Sequence, residues 1–248
     1  MSDTVSVKLA GKLTGKRAIV TGASSGIGKE VSLRLIQEGV QVALVSRNPD
    51  RILSELPPES NAKGYAIDLG DTTKVSSQIQ AIITDLGGID ILINNAGSAY
   101  IGELIDMPLG EWQKLLDLNL TSVFQCLQAV LPTMRSQKSG TIINVASIAA
   151  KQGFPNWGAY CASKFALLGL TQSVAAEEQP HGIKVMSICP GSVNTGLWDT
   201  LGDKVPPSFN RAAMLTPATV AESIMTLVNL PEDAIINDLV LMPNAGVF

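Results

Sequence analysis

The sequence predicts an α/β protein of the doubly wound kind, a parallel sheet covered by helices on both faces. Three observations predict it. Apolar, β-branched runs alternate with helical patterns from one end of the chain to the other. Those runs are apolar at successive positions rather than at every second one, as strands buried on both faces are. Finally, 248 residues of which 46% are hydrophobic suffice for a large core within one domain spanning 1–248.

Residues 17–22, RAIVTG, form the first apolar run and end in glycine, so a buried strand is expected there. A helical pattern covers Ile27 to Glu38, and Gly39 stands where a C-cap glycine stands. Further strands are predicted at 40–47 and 63–69, followed by a helix from Thr72 to Leu86. Residues 89–97, IDILINNAG, are strand-like, and Glu111 to Arg135 is helical in pattern, with Pro132 expected to bend or end it. A strand at 140–147, a helix from Gly158 to Glu178, a strand at 183–191, a helix from Thr216 to Leu230 and a strand at 237–244 complete the order. No linker, internal repeat or low-complexity segment interrupts it. The helices containing WQKLLDLNLTSVFQCLQAVL and YCASKFALLGLTQSVAA are apolar around most of their circumference. Such helices pack on two neighbours, and we expect the second neighbour to be another copy of the chain.

Net charge is −4, from 18 basic and 22 acidic residues, and no basic run stands out, so nucleic acid is not an expected partner. No apolar stretch reaches the roughly 20 residues of a membrane helix. The start, MSDTVSVKLAGKLTGK, lacks the apolar segment of a secretory signal, and a cytoplasmic location is expected. Cys126, Cys161 and Cys189 are far apart and odd in number, which argues against a disulfide framework or a thiolate metal site. One histidine, His181, cannot build a histidine triad or a multi-histidine metal centre, and no metal is expected.

The motif TGASSGIG (21–28) falls where a strand turns into a helix, with glycines at 22, 26 and 28. Glycine permits the tight turn and lets the backbone approach a pyrophosphate, whose charge the helix N-terminus favours. In an alternating α/β chain this is a dinucleotide signature, and it is not a P-loop because no G-K-[ST] ends it. The second strand ends in Ser46, Arg47 and Asn48 and carries no carboxylate. An NAD site would place Asp or Glu there, whereas a guanidinium pairs with a 2′-phosphate, so NADP(H) is expected over NAD(H).

With that loop, NNAG at 94–97, and Ser147, Tyr160 and Lys164 in an S…Y-x-x-x-K arrangement, the chain resembles the short-chain dehydrogenases/reductases over essentially its whole length. The resemblance implies a Rossmann-like sheet of seven strands, a nicotinamide cofactor, and a tetramer in preference to a dimer. It implies Tyr160 as acid/base, Lys164 as its partner, Ser147 as the group holding the substrate oxygen, and Asn119 as support for a water relay to the lysine. It further implies cofactor contacts from Gly22, Ser24, Ser25, Gly26, Ile27 and Gly28, from Asp68 and Leu69 after the third strand, and from Asn95, Ala96 and Gly97. Tyr160 and Lys164 would touch the cofactor too, and Pro190, Gly191, Val193 and Thr195 would hold the nicotinamide end.

The chemistry follows from the residue types as well. Reducing a ketone needs a hydride on carbon and a proton on oxygen. A free tyrosine, with pKa about 10, is a poor proton donor and acceptor near neutrality. A lysine four positions on lies on the same helical face, and its charge is expected to lower the tyrosine's pKa. Ser147, at a strand's C-terminal end, can steady the developing alkoxide.

Residues 192–215 lack periodicity and follow a strand, as substrate lids do. Leu197, Trp198, Leu201, Phe209 and Met214 give this segment apolar surface, and Tyr100, Phe154 and Trp157 add candidate pocket walls. The expected substrate is a small, fairly hydrophobic ketone or 3-oxo ester. The alternative is 3-oxoacyl-[acyl-carrier-protein] reduction, for which Arg135 and Lys138 are candidate basic contacts. Against it, SVAAEEQPHGIKV is acidic where those reductases carry arginines, and the LVLMPNAGVF end is more similar to 3-hydroxyacid dehydrogenase or sepiapterin-reductase-like branches. A second alternative is a non-catalytic NADP(H)-sensing protein.

Overall fold

A computed structural model describes residues 13–205 and 210–246. The chain runs β1 (Arg17–Thr21), α1 (Gly26–Gln37), β2 (Gln41–Ser46), α2 (Asp50–Leu53), β3 (Ala62–Ala66), α3 (Val75–Leu86) and β4 (Ile91–Asn94). It continues with α4 (Leu109–Leu116), α5 (Ser122–Gln137), β5 (Gly140–Val145), α6 (Gly158–Glu178), β6 (Ile183–Pro190), α7 (Leu197–Leu201), α8 (Pro217–Val228) and β7 (Asp238–Leu241). The strands form one parallel sheet in the order β3-β2-β1-β4-β5-β6-β7, as the alternation predicts.

Two cores flank the sheet. On one face Ile19, Leu92, Ile142 and Val185 pack with Ile79, Val130 and Leu167 of α3, α5 and α6. On the other, Val20, Leu44, Ile93 and Met186 pack with Val31, Leu35 and Ile224 of α1 and α8. Ile19 and Val20 are adjacent, point to opposite faces and are both fully buried, which is why the strands read as unbroken apolar runs. Each such buried side chain contributes on the order of 1.5–3 kcal/mol. The strand order reverses between β1 and β4, so a crevice opens beyond their carboxyl ends, where such folds bind ligands.

Several boundaries differ from expectation for identifiable reasons. The helix expected from Thr72 starts at Val75, because Asp71 accepts hydrogen bonds from the Thr73 hydroxyl (2.5 Å) and Lys74 Nζ (2.9 Å) and closes a turn first. Pro132 does not end its helix, which runs on to Gln137 and closes at Lys138 in the left-handed conformation (φ 53°). A five-residue π-turn, Asp117–Thr121, separates α4 from α5 within the span read as one helix. The 192–215 segment contains α7 and 3-10 turns at Gly202–Lys204 and Arg211–Ala213; Phe209 lies outside the described residues, as do 1–12 of the N-terminal stretch. No described helix is long and apolar enough to cross a membrane, the three cysteines are buried free thiols, and no metal-binding cluster occurs among the described residues.

Candidate active site

The crevice at the carboxyl end of the sheet is a cleft of about 1420 Å³. Clefts for drug-sized ligands span roughly 300–1,000 Å³, so this one has room for a dinucleotide and a second molecule. Every sequence-predicted catalytic and cofactor-binding residue lines it except Gly28 and Asn119; of the predicted substrate walls, Phe154, Trp157, Leu197, Trp198 and Leu201 line it, and Tyr100 and Met214 do not.

The glycine loop is built by close packing. A Cβ on Gly28 would stand 2.3 Å from the Gly22 carbonyl oxygen and 2.5 Å from Asn95 Nδ2, so Gly28 seats α1 against β1 and β4 rather than facing the cleft. Gly22 and Gly26 have φ of +66° and +54°, which non-glycine residues rarely adopt, and Gly26 faces the Thr195 side chain across the cleft. Asn95 Nδ2 donates to the Thr21 carbonyl at 3.0 Å, and the Thr21 hydroxyl accepts from the backbone N–H of Asn95 and Ala96. The loop and the NNAG segment are thereby locked together.

The residues present fit a dinucleotide with a charged ribose. Ser24, Ser25 and Ile27 line the wall at the start of α1, and Ser46, Arg47 and Asn48 end β2 beside them. Ser46 Oγ is buried without a hydrogen-bond partner, while Arg47 is exposed and in none of the ion pairs of the described residues. Asp68 and Leu69 form the neighbouring wall, with one Asp68 oxygen already accepting from the Gly70 N–H at 2.9 Å. Lys29, paired to Glu55 at 2.5 Å, and Arg51 also line this end. Sequence reasoning missed them; Arg51, four residues past Arg47 and across the turn into α2, was the detectable signal.

At the other end β5 and α6 bring the Ser–Tyr–Lys trio together. Ser147 leaves β5 as the cap of a 3-10 turn, Ile148–Ala150, its hydroxyl accepting from the Ala149 N–H at 3.1 Å. Lys164 is buried, lies 5.8 Å from the Tyr160 ring centroid and donates to the Val145 carbonyl at 2.9 Å. Burial lowers its pKa to about 8. Burial likewise raises the Tyr160 hydroxyl above its ordinary value, opposed by the Ser147 hydroxyl. The expectation that Lys164 draws Tyr160 downward is therefore corrected for the protein alone: burial of the hydroxyl raises it, and the lysine amine is anchored on a carbonyl.

Asn119, in the π-turn, is buried and fully engaged. Its Nδ2 donates to the Ser98 carbonyl (2.9 Å) and to Ser163 Oγ (3.0 Å), and its Oδ1 accepts from the Ser98 N–H at 2.9 Å. Ser163 in turn donates to the Tyr160 carbonyl at 2.7 Å, so Asn119 ties the NNAG loop to the helix of the tyrosine. Asn119 Oδ1 and Lys164 Nζ both lie beside Gly97, 3.2 and 3.8 Å from where a Cβ on that glycine would stand.

Pro190, Gly191, Val193 and Thr195 form the wall after β6. Trp198 Nε1 donates to the Val193 carbonyl at 2.8 Å and packs edge-on against Trp157 (5.9 Å between ring centroids), which packs edge-on against Tyr160 (5.5 Å). Phe154 lines the same end, and Lys204 sits over the Tyr100 ring at 4.5 Å. Arg211 joins Asn194 Oδ1 (2.8 Å), the Thr195 carbonyl (3.0 Å) and Asp199 (2.5 Å), contacts that sequence reasoning did not foresee.

The buried lysine carries a pH prediction. A folded pKa near 8 lies below the ordinary 10.5, so between those values the unfolded chain binds the extra proton and stability rises with pH. Lys164→Met therefore stabilises the fold at pH 7 by on the order of 1–3 kcal/mol, and the gain shrinks toward pH 10. Urea unfolding at both pH values checks this; a gain that does not change with pH contradicts it.

Residues 16–206 match the family described as short chain dehydrogenase. The chain is 35% identical over 240 residues to an uncharacterized oxidoreductase of Staphylococcus saprophyticus, covering 93% of this chain and 96% of that protein. It is 36% identical over 195 residues to a 3-oxoacyl-[acyl-carrier-protein] reductase of Staphylococcus aureus, covering 77% and 79%. Among solved structures it superimposes on ElxO with NADP bound with a TM-score of 0.82, at 28% identity, covering 93% of this chain and 98% of that one.

Proposed function

The chain belongs to the short-chain dehydrogenase family, and on that premise we propose that it is an NADPH-dependent carbonyl reductase acting on small, fairly hydrophobic ketones or 3-oxo esters. The observation that carries the reading is the aromatic column Trp198–Trp157–Tyr160 at one end of a cleft whose other end presents the glycine loop and Arg47.

NADP(H), when bound, supplies or accepts the hydride. Gly22, Gly26, Ser24, Ser25 and Ile27 would hold its pyrophosphate, Arg47 with Ser46 and Asn48 its 2′-phosphate, and Asp68 and Leu69 its adenine. Asn95, Ala96, Gly97, Pro190, Gly191, Val193 and Thr195 would frame the nicotinamide end. The residues of the chain do the rest. Ser147 holds the carbonyl oxygen and stabilises the charge that develops there. Tyr160, kept protonated by burial, gives its proton to that oxygen. Lys164 stabilises the tyrosinate that remains and is the path by which it is reprotonated. A water relay from Asn119 to Lys164 would use the asparagine's backbone, since its side chain is engaged. Because Tyr160 is neutral near pH 7, carbonyl reduction is favoured there, and alcohol oxidation gains as pH rises.

Phe154, Trp157 and Trp198 would form the substrate wall, with 192–215 acting as a lid that Arg211 and Lys204 hold over the cleft. A free substrate is preferred over a carrier-bound one. Of the two candidate basic contacts, Arg135 and Lys138, Arg135 makes two hydrogen bonds to the buried Glu178 (2.9 and 2.6 Å), a structural clamp between α5 and α6. The Staphylococcus aureus relative keeps carrier-bound 3-oxoacyl reduction as the second reading. Comparing turnover of free ketones and 3-oxo esters with a phosphopantetheine-linked 3-oxoacyl substrate tests the choice; turnover confined to the linked substrate overturns it. The exposed Phe124 and Phe165 on α5 and α6 support a homo-oligomer, which we propose to be a tetramer rather than a dimer, acting in the cytoplasm. A monomeric mass by light scattering would sink that assembly.

A further inference from the structure

A polar row crosses the apolar sheet. Asn94, Asn144, Ser187 and Asp238 are register partners across β4, β5, β6 and β7. Partners in a parallel sheet project to the same face, here the one covered by α5 and α6. Asn94 Nδ2 donates to Asn144 Oδ1 (2.8 Å), and Asn144 Nδ2 donates to the Thr171 hydroxyl of α6 (2.9 Å). The row ends in a carboxylate. Asp238 Oδ1 accepts from the fully buried Ser187 hydroxyl, and Oδ2 accepts from Lys151 Nζ (2.9 Å) and from Gln172 Nε2 (3.3 Å).

These three donors come from three different elements. Ser187 belongs to β6. Lys151 closes the short turn that Ser147 opens, its N–H bonded to the Ile148 carbonyl and the Ala150 N–H to the Ser147 carbonyl, both at 2.9 Å. Gln172 lies on α6, the helix that carries Tyr160 and Lys164. One carboxylate on the last strand thus joins the element bearing the serine to the element bearing the tyrosine and lysine. The Lys151–Asp238 pair is only partly exposed (32% and 21% of the side chains). An isolated surface pair of this kind contributes little to stability.

We propose that Asp238, acting through Lys151 and Gln172, is a positioning residue that sets the Ser147 hydroxyl against Tyr160. The inference rests on the reading of Ser147 and Tyr160 as the groups that handle the substrate oxygen. Small misplacements of such groups are costly, since about 1 Å can cost 10²-fold. Lys151 and Asp238 do not touch the reacting atoms, so their loss lowers turnover without weakening the hold on NADPH.

The test uses the full-length protein with Lys151→Met, Asp238→Asn, the double variant and Lys151→Arg. The expected result is a fall in kcat of about tenfold for either single variant, with the KM for NADPH within about twofold of wild type. The double variant falls no further than the singles, because both remove one interaction, and Lys151→Arg recovers most of the turnover. Amide hydrogen exchange at Ala150 and Lys151 speeds up in the single variants while that of the sheet does not change. Unchanged kcat, losses that multiply in the double variant, or unchanged exchange at the turn would each overturn the proposal. A wild-type protein inactive on every ketone would instead count against the carbonyl-reductase reading, and the exchange measurement would then decide this inference by itself.

Discussion

Tyr160→Phe lowers the turnover of ketone by roughly 10²–10⁴-fold, the span that a positioned general acid contributes, while NADPH affinity stays within about twofold of wild type. The substitution removes one oxygen and leaves the ring. Trp157 keeps its edge-on packing at 5.5 Å, and Lys164 keeps its bond to the Val145 carbonyl, so the site does not collapse. What disappears is the proton for the carbonyl oxygen and the partner of Ser147. Steady-state kinetics with fluorescence titration of NADPH separates the two effects. Turnover retained within a few-fold in the phenylalanine variant would remove Tyr160 from the chemistry.

The second large effect belongs to the cofactor end. Arg47→Ala is expected to raise the KM for NADPH by about 10–100-fold and to leave that for NADH within about twofold, since charge-assisted hydrogen bonds contribute on the order of 1.5–3 kcal/mol. Arg47 stands at the cleft outside every ion pair of the described residues, so its loss orphans no carboxylate and should leave the fold intact. Arg51, on the same wall, bounds the effect from above, because it retains positive charge there, whereas Lys29 is paired to Glu55. Equal losses with the two cofactors would mean that Arg47 does not read the 2′-phosphate.

The parts of the molecule legible in the sequence are those written in local pattern. Ile19 and Val20 are both buried because a covered parallel strand buries both faces, and seven such runs announced seven strands. The glycine loop, NNAG and the Ser147, Tyr160 and Lys164 positions were legible because strand ends gather at one edge of such a sheet. What escaped was set by particular side-chain partners rather than by periodicity. The Thr72 start failed because Asp71 finds Thr73 and Lys74 before the helix can begin. Lys164 reads as a charge beside a tyrosine, yet its amine is buried on the Val145 carbonyl, and burial raises the Tyr160 hydroxyl in the protein alone. Asn119 also braces Ser98 against Ser163, contacts that no local pattern showed. No periodicity could have paired Lys151 with Asp238, which lie 87 residues apart, or Arg211 with Asn194.

The measurement that bears most directly on the account is NADPH consumption by the wild-type protein in the presence of a hydrophobic ketone, with the alcohol formed quantified alongside. The account predicts that NADPH disappears in step with the alcohol, that NADH replaces it poorly, and that neither happens in Tyr160→Phe. Tight NADPH binding with no alcohol from any ketone or 3-oxo ester would contradict it and leave a protein that senses the cofactor rather than uses it.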